Sequence, residues 1–174
     1  DSGNHRIMFL KDMKGEGRKV LGRAGHEPGY FLHPCQIWVD PGGKIFVADR
    51  DNNRIVRMEQ INGFGWKELP GFNHPEGVAS RGDEIYVADT GNNRVIRFAN
   101  GNPGTATALA ISGTTLGKVR APEGVTISSF TVGTLAGGDS LVVSDTTNNR
   151  IQGRLLAGTT WVLVGTPNGL GSNP

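Results

Sequence analysis

Asp89-Thr90-Gly91-Asn92-Asn93-Arg94 decides the fold, because it places a tight polar turn between two apolar segments. The segments on either side, Ile85–Ala88 and Val95–Phe98, are rich in β-branched and aromatic residues, as strands are. Asn and Asp tolerate left-handed backbone and form side-chain turns, so the stretch predicts strand, turn and strand. The same phrase occurs three more times, at residues 1–6, 49–54 and 145–150.

Each copy of the phrase begins with Asp and ends with Arg, and the pattern favours a structural role for both. The Asp carboxylate can accept backbone N–H groups of the turn, and the Arg opens the next strand close enough to donate two hydrogen bonds back to it. A catalytic carboxylate would not need to recur in every unit. The predicted structural pairs are Asp1 with Arg6, Asp49 with Arg54, Asp89 with Arg94, and Asp145 with Arg150.

A second marker, Pro followed by a short apolar run, fixes the repeat period. It occurs at Pro34, Pro75 and Pro122, which precede the repeat Asp residues 49, 89 and 145 by 15, 14 and 23 residues. Successive repeat Asp residues are 48, 40 and 56 residues apart, which straddles the ~40–45 residues of a four-stranded propeller blade. We therefore divide the single repeat region 1–174 into a half unit, 1–33, and units 34–74, 75–121 and 122–174.

Asp-x-x-Asn-Asn-Arg-Ile/Val after a Val-Ala-Asp strand, with Pro-Glu-Gly-Val ahead of it, resembles the NHL repeat, and the resemblance covers essentially the whole chain. It implies an all-β fold, an NHL-type β-propeller of four-stranded blades with about three and a half blades present. Known members are mostly six-bladed, so we expect the region to be truncated at both ends. The remaining blades would come from the rest of a longer chain or from other copies.

The amino-acid composition limits the classes of function that this chain can have. The 36% hydrophobic content is enough for a core, and the sequence has no long apolar stretch that could span a membrane. A net charge of +2 and only 7% aromatic residues argue against a nucleic-acid surface. The single Cys35 excludes an internal disulfide framework. The near-absence of Cys and the Gly/Thr-rich composition together favour a secreted bacterial protein, extracellular or periplasmic.

One enzyme that resembles NHL proteins, the lyase that finishes peptide amidation, binds zinc through His residues directly after the Pro of an inner strand. Here those positions hold Cys35, Glu76 and Glu123. His33 and His74 lie one place earlier, where the third unit has Ala121. Zinc needs three or four convergent ligands, so the amidating-lyase activity is disfavoured.

Cys35, Glu76 and Glu123 still occupy equivalent places, which predicts an arc at one rim of the propeller channel. The two carboxylates could bind a hard cation such as Ca²⁺, and these three residues are the candidate metal site. The alternative is that both Glu side chains face solvent or cap nearby backbone. Cys35 has no identifiable His–Asp pair to activate it, and the sequence predicts no catalytic residue.

These observations favour a non-enzymatic scaffold, part of a longer chain, that binds a protein partner or ligand through the loops of one face. The Gly/Thr-rich insertion at 131–140 is the most individual loop and is the expected partner contact. The alternative is a propeller hydrolase or lyase with a metal at the channel mouth. Fold alone does not decide between them.

Overall fold

The computed structural model describes residues 1–12, 14–99, 101–129, 135 and 137–164. Its strands form four successive sheets of two, four, five and four strands. Neighbouring strands are antiparallel, except for one short edge strand that adds in parallel. The predicted all-β propeller fold is confirmed. In the part of the chain that the structure describes, no helix has the length and apolar character needed to cross a membrane.

The strands follow the chain from the inner to the outer edge of each blade. The half blade has two strands, β1 (Ile7–Phe9) and β2 (Lys19–Leu21). Blade 1 has four, β3 (Pro34–Val39), β4 (Ile45–Asp49), β5 (Arg54–Met58) and β6 (Lys67–Pro70). Blade 2 has five, β7 (Gly77–Arg81), β8 (Glu84–Asp89), β9 (Arg94–Ala99), β10 (Thr107–Ser112) and β11 (Lys118–Val119). Blade 3 has four, β12 (Pro122–Ser128), β13 (Ser140–Asp145), β14 (Arg150–Leu155) and β15 (Val162–Leu163).

The Asp-to-Arg phrase joins the second and third strands of each blade through one turn of 3-10 helix. These turns are Ser2–Asn4, Arg50–Asn52, Thr90–Asn92 and Thr146–Asn148. Each turn ends in a left-handed residue with φ between 50° and 54°, namely His5, Asn53, Asn93 and Asn149. Asn tolerates this conformation better than most residues, which explains its place in the phrase. A fifth 3-10 turn, Pro103–Thr105, lies between β9 and β10.

The core lies between blades, because the two faces of each sheet pack against different neighbours. Phe46 and Ala48 of β4 pack against Val87 of β8 and Phe98 of β9, and all four are buried. Similar apolar clusters join the half blade to blade 1 and blade 2 to blade 3. Since burying one such side chain contributes about 1.5–3 kcal/mol, contacts between blades hold the arc together.

One feature differs from the sequence expectations. The short strand β11 was not predicted, because Lys118 and Val119 are too few to show a pattern, and it pairs parallel to β10. Blade 2 therefore has five strands rather than four. The end of the predicted unit 122–174, from residue 165 onward, lies outside the described residues.

Candidate functional site

The four motif turns share one end of the blades, which we call the motif face, and a buried carboxylate organises each full-blade turn. Asp49, Asp89 and Asp145 are fully buried. In blade 2, Asp89 accepts hydrogen bonds from the Arg94 Nε (2.6 Å), the Asn92 Nδ2 (2.9 Å) and the backbone N–H of Asn73 (2.7 Å). The other two blades repeat this pattern, with Leu32 and Arg120 supplying the backbone N–H groups. The repeat Asp therefore ties the turn to the linker that enters its own blade.

The structure contains all four Asp–Arg ion pairs, but each Arg gives its carboxylate only one hydrogen bond, from Nε, and not the expected two. In blades 1 and 3 the outer guanidinium nitrogens are directed at loop carbonyls, so only Nε reaches the carboxylate. The outer nitrogens of Arg54 bind the carbonyls of His26 and Tyr30 instead. Those of Arg150 bind the carbonyls of Thr114, Thr115 and Lys118. The Arg thus fastens a loop as well as a turn.

A second set of contacts links each blade to the next and accounts for His33 and His74. The Asn53 side chain of blade 1 accepts the backbone N–H of His74 at 2.8 Å, and Asn93 accepts that of Ala121 at 2.8 Å. His5 takes the place of Asn in the half blade, where its Nδ1 accepts the backbone N–H of His33 at 3.1 Å. The three residues before Pro have φ between 43° and 46°. The residue before Pro therefore fastens its blade to the preceding one through its backbone N–H, and we call this contact a backbone latch.

The side chains that the frame does not use form a polar group at the junction of the half blade and blades 1 and 2. We call it the motif-face cluster, and its members are His33, Cys35, Arg50, Asp51, His74 and Glu76. The Asp51 carboxylate lies 2.5 Å from His33 Nδ1 and 4.0 Å from His74 Nε2. Arg50 Nε lies 3.0 Å from a Glu76 oxygen of the next blade. These side chains remain between 21% and 48% exposed, so a ligand can reach them.

The predicted arc of Cys35, Glu76 and Glu123 lies close enough for its charges to interact. Partial burial raises the pKa of Cys35, and the carboxylates of Glu76, Asp51 and Glu123 raise it further, against the opposing effect of Arg50. The thiol is exposed and donates to the His33 carbonyl at 3.4 Å. A raised pKa keeps it protonated at neutral pH, which is the opposite of an activated nucleophile.

Metal binding by this arc stays a prediction. Among the described residues, no group of three or more His, Cys, Asp and Glu side chains is arranged to hold a metal ion. Glu76 instead engages Arg50. Ca²⁺ at Cys35, Glu76 and Glu123 would therefore need oxygen ligands beyond these three side chains.

Half of the insertion at 131–140, expected to contact a partner, lies outside the described residues, namely 131–134 and 136. Its far end is described and bound to blade 2, since Asp139 pairs with Arg81 at 2.7 Å and accepts from the Ser129 hydroxyl at 2.7 Å. These contacts fix where the insertion returns to the sheet.

Sequence reasoning missed Gln36, which occupies the place of Gly77 and Gly124 in the Pro-x-Gly-Val phrase. Its Nε2 donates to the Val125 carbonyl at 3.0 Å, and its Oε1 accepts the Val78 N–H at 3.2 Å. One side chain of blade 1 thereby joins the inner strands of blades 2 and 3. The signal was available as a departure from the repeat, but only the packed inner strands show what the amide binds.

The chain matches a known family model and is similar to several solved structures. The NHL repeat family model matches residues 72–98. Among solved structures, the chain is similar to a chain of a nidogen/laminin complex, with 24% identity over 92% of this chain and a TM-score of 0.68. It is also similar to a streptogramin B lyase, with 16% identity over 95% of this chain and a TM-score of 0.67. A third is a catalytically inactive virginiamycin B lyase from Staphylococcus aureus with quinupristin, with 20% identity over 97% of this chain and a TM-score of 0.64.

This chain spans 55%, 49% and 51% of those three chains, about half of each. At such identities the likeness shows the fold, and the neighbours include both an interaction protein and enzymes. The family match covers the linker, β7, β8, the motif turn and most of β9. Residues 72–98 are thus an NHL repeat, set in a β-propeller chain whose other blades carry the same Asp-to-Arg turn.

Proposed function

We propose that this chain is a non-enzymatic binding scaffold that holds a protein partner on its motif face. The proposal rests on a difference between two sets of polar groups on that face. The repeated Asp, Asn and Arg residues are committed to turns, loops and latches, whereas the residues of the motif-face cluster are specific to one junction and remain accessible. A rigid frame with variable, exposed polar side chains is how loops on a fixed scaffold provide recognition.

The cluster also indicates the chemistry of the partner. It presents Arg50 beside two carboxylates and two imidazoles, so it suits a surface with both donors and acceptors rather than a polyanion. The nidogen neighbour, a propeller of the same fold, is in a complex with laminin. That complex supports a partner-binding role for this fold.

The test compares the affinity of a partner for two variants, each of which has one cationic side chain replaced by a neutral one. A partner captured from the source organism on immobilised protein would be identified, purified and titrated by calorimetry against wild type, Arg50→Gln and the control Lys14→Gln. Arg50 is on the motif face, and Lys14 is exposed in the half blade. We expect at least tenfold weaker binding for Arg50→Gln and no change for Lys14→Gln. Equal affinities for all three proteins would show that the motif face is not the binding surface.

An acid–base enzyme is the second candidate, and one contact favours it. His33 is held by Asp51 through Nδ1 at 2.5 Å while its ring stays half exposed, which is how a carboxylate orients a catalytic base. Two structural neighbours are lyases. Quinupristin consumption by protein purified without chelators, alongside metal analysis, tests this candidate. Turnover by wild type that is lost in His33→Asn would replace the scaffold proposal with an enzyme.

A further inference from the structure

The end of the blades opposite the motif face carries a cavity between blades 1 and 2. It has a volume of about 240 Å³ and lies between Lys44 and Arg57 on blade 1 and the Gly82–Asp83 turn on blade 2. Gly101 forms part of its wall, and a Cβ at that glycine would lie 3.5 Å from Lys67 Nζ and 4.0 Å from Arg57 Nη1. Two cationic side chains, Lys44 and Arg57, therefore line the cavity, and a third, Lys67, lies beside its Gly101 wall.

The residues of this site on blade 1 can be compared with the residues at the equivalent positions of blade 2. Lys44 stands five residues before Asp49, as Glu84 stands five before Asp89, and Arg57 and Arg97 follow the motif Arg by three residues. In blade 2, Glu84 pairs with Arg97, with 3.2 Å between oxygen and Nε. The same corner of blade 1 has a cation where blade 2 has the carboxylate.

Arg57 consequently has no counterpart of Glu84, and its ion pair is with Glu59 instead. Its Nε is buried and makes no hydrogen bond, and its nearest carboxylate, that of Glu59, is 3.6 Å from an outer nitrogen. The cross-strand neighbour adds to the imbalance, because Lys67 pairs with Arg57 where Thr107 pairs with Arg97. Asp83 is the only acidic side chain among the described residues that line the cavity.

We propose that this cavity is a binding site for a carboxylate ligand, which supplies the negative charge that Glu84 supplies in blade 2. Arg and Lys donors around a small polar space bind carboxylates through charge-assisted hydrogen bonds. The carboxylate belongs either to a free polycarboxylate or to the acidic side chains of a peptide. The site lies at the other end of the blades from the motif-face cluster, so its failure would leave the scaffold proposal untouched.

The experiment uses citrate and a capped triglutamate peptide as probes, each titrated by NMR against the backbone amide signals of Gly82 and Gly101, which line the cavity, in ¹⁵N-labelled protein. Lys44→Glu recreates the Glu84 arrangement in blade 1, and Arg57→Gln removes the main donor. Lys14→Glu, an exposed site in the half blade, is the control with the same charge change. Urea unfolding of each variant reports folding independently of binding.

We expect saturable binding of at least one probe, weakened at least tenfold by Lys44→Glu and by Arg57→Gln but unchanged by Lys14→Glu. Binding of citrate alone would assign a free polycarboxylate, and binding of the peptide would assign acidic side chains. We also expect Lys44→Glu to unfold at a urea concentration no lower than wild type. The proposal is overturned if neither probe saturates, or if Lys14→Glu weakens binding as much as Lys44→Glu does.

Discussion

Asp89→Asn tests whether the buried carboxylate holds a blade together. One oxygen of Asp89 accepts the Asn73 N–H, and the other accepts both Arg94 Nε and Asn92 Nδ2. Asparagine keeps the first acceptor but turns an NH₂ group toward the other two donors, so two hydrogen bonds to a charged group are lost. Such bonds contribute about 1.5–3 kcal/mol each. Because water can reach Arg94 and Asn92, we take the lower end and expect a loss of about 3 kcal/mol.

The control is Asp1→Asn in the half blade, where the equivalent Asn and Arg donors bind different oxygens at the surface, so that one of the two contacts is lost. Asp1 accepts from Asn4 Nδ2 at 2.8 Å and from Arg6 Nε at 2.7 Å, but its side chain is 21% exposed. Exposed ion pairs contribute about 0–1 kcal/mol, so this variant should remain within that range. The difference between the two variants therefore reflects the burial of Asp89 together with the second contact that Asp89→Asn loses.

Urea unfolding followed by tryptophan fluorescence, with a thermal scan as a second measurement, provides the assay. For a chain of this size, ~3 kcal/mol corresponds to a fall in Tm of about 6–12 °C. A loss below ~1 kcal/mol for Asp89→Asn, equal to that of Asp1→Asn, would refute the assignment of the motif Asp as a buried anchor.

Three further predictions concern contacts outside the Asp–Arg pairs. Gln36→Gly should lower the unfolding free energy by about 1–2 kcal/mol, since two hydrogen bonds between inner strands are lost, and an unshifted urea midpoint would contradict this. Gly91→Ala should cost about 2 kcal/mol, because its Cβ would lie 2.8 Å from a backbone oxygen of the preceding linker, whereas Gly138→Ala, with open space around it, should be neutral in the same assay. Burial and the Glu76 carboxylate raise the pKa of Cys35, so the midpoint of its pH–rate profile with iodoacetamide should lie at higher pH than that of free cysteine. The midpoint should move to lower pH in Glu76→Gln, and equal midpoints for wild type and this variant would argue against the assignment.

The parts of the fold that follow local rules were predictable from the sequence. The turn after Asp89 has left-handed backbone at Asn93, and the flanking segments Ile85–Ala88 and Val95–Phe98, predicted as strands, lie within β8 and β9. These features depend on residues a few places apart.

The site depends on residues far apart in sequence, and that is why much of it was missed. Glu76 was selected as a metal ligand from its place after Pro75, but its partner is Arg50 across a blade boundary. Nothing in one repeat says that the residue after the motif Asp reaches the next blade. Blade 2 shows the same reach on a smaller scale, where the Thr90 hydroxyl donates to the Pro122 carbonyl at 2.7 Å.

Departures from the repeat are therefore the places to look for function in such a chain. Where two blades keep the same contact, its chemistry is explained by the frame, as with Asn53 and Asn93. Where one blade loses a partner that its neighbour keeps, the unmatched group has no structural reason for its charge. Arg57 is such a case, because it has no counterpart to Glu84 and its buried Nε makes no hydrogen bond, although an outer nitrogen pairs with Glu59. A buried donor without a hydrogen bond is costly, and a bound carboxylate would compensate for it. Because the reference is the neighbouring blade of the same molecule, substituting Glu for Lys44 tests the reasoning within one fold.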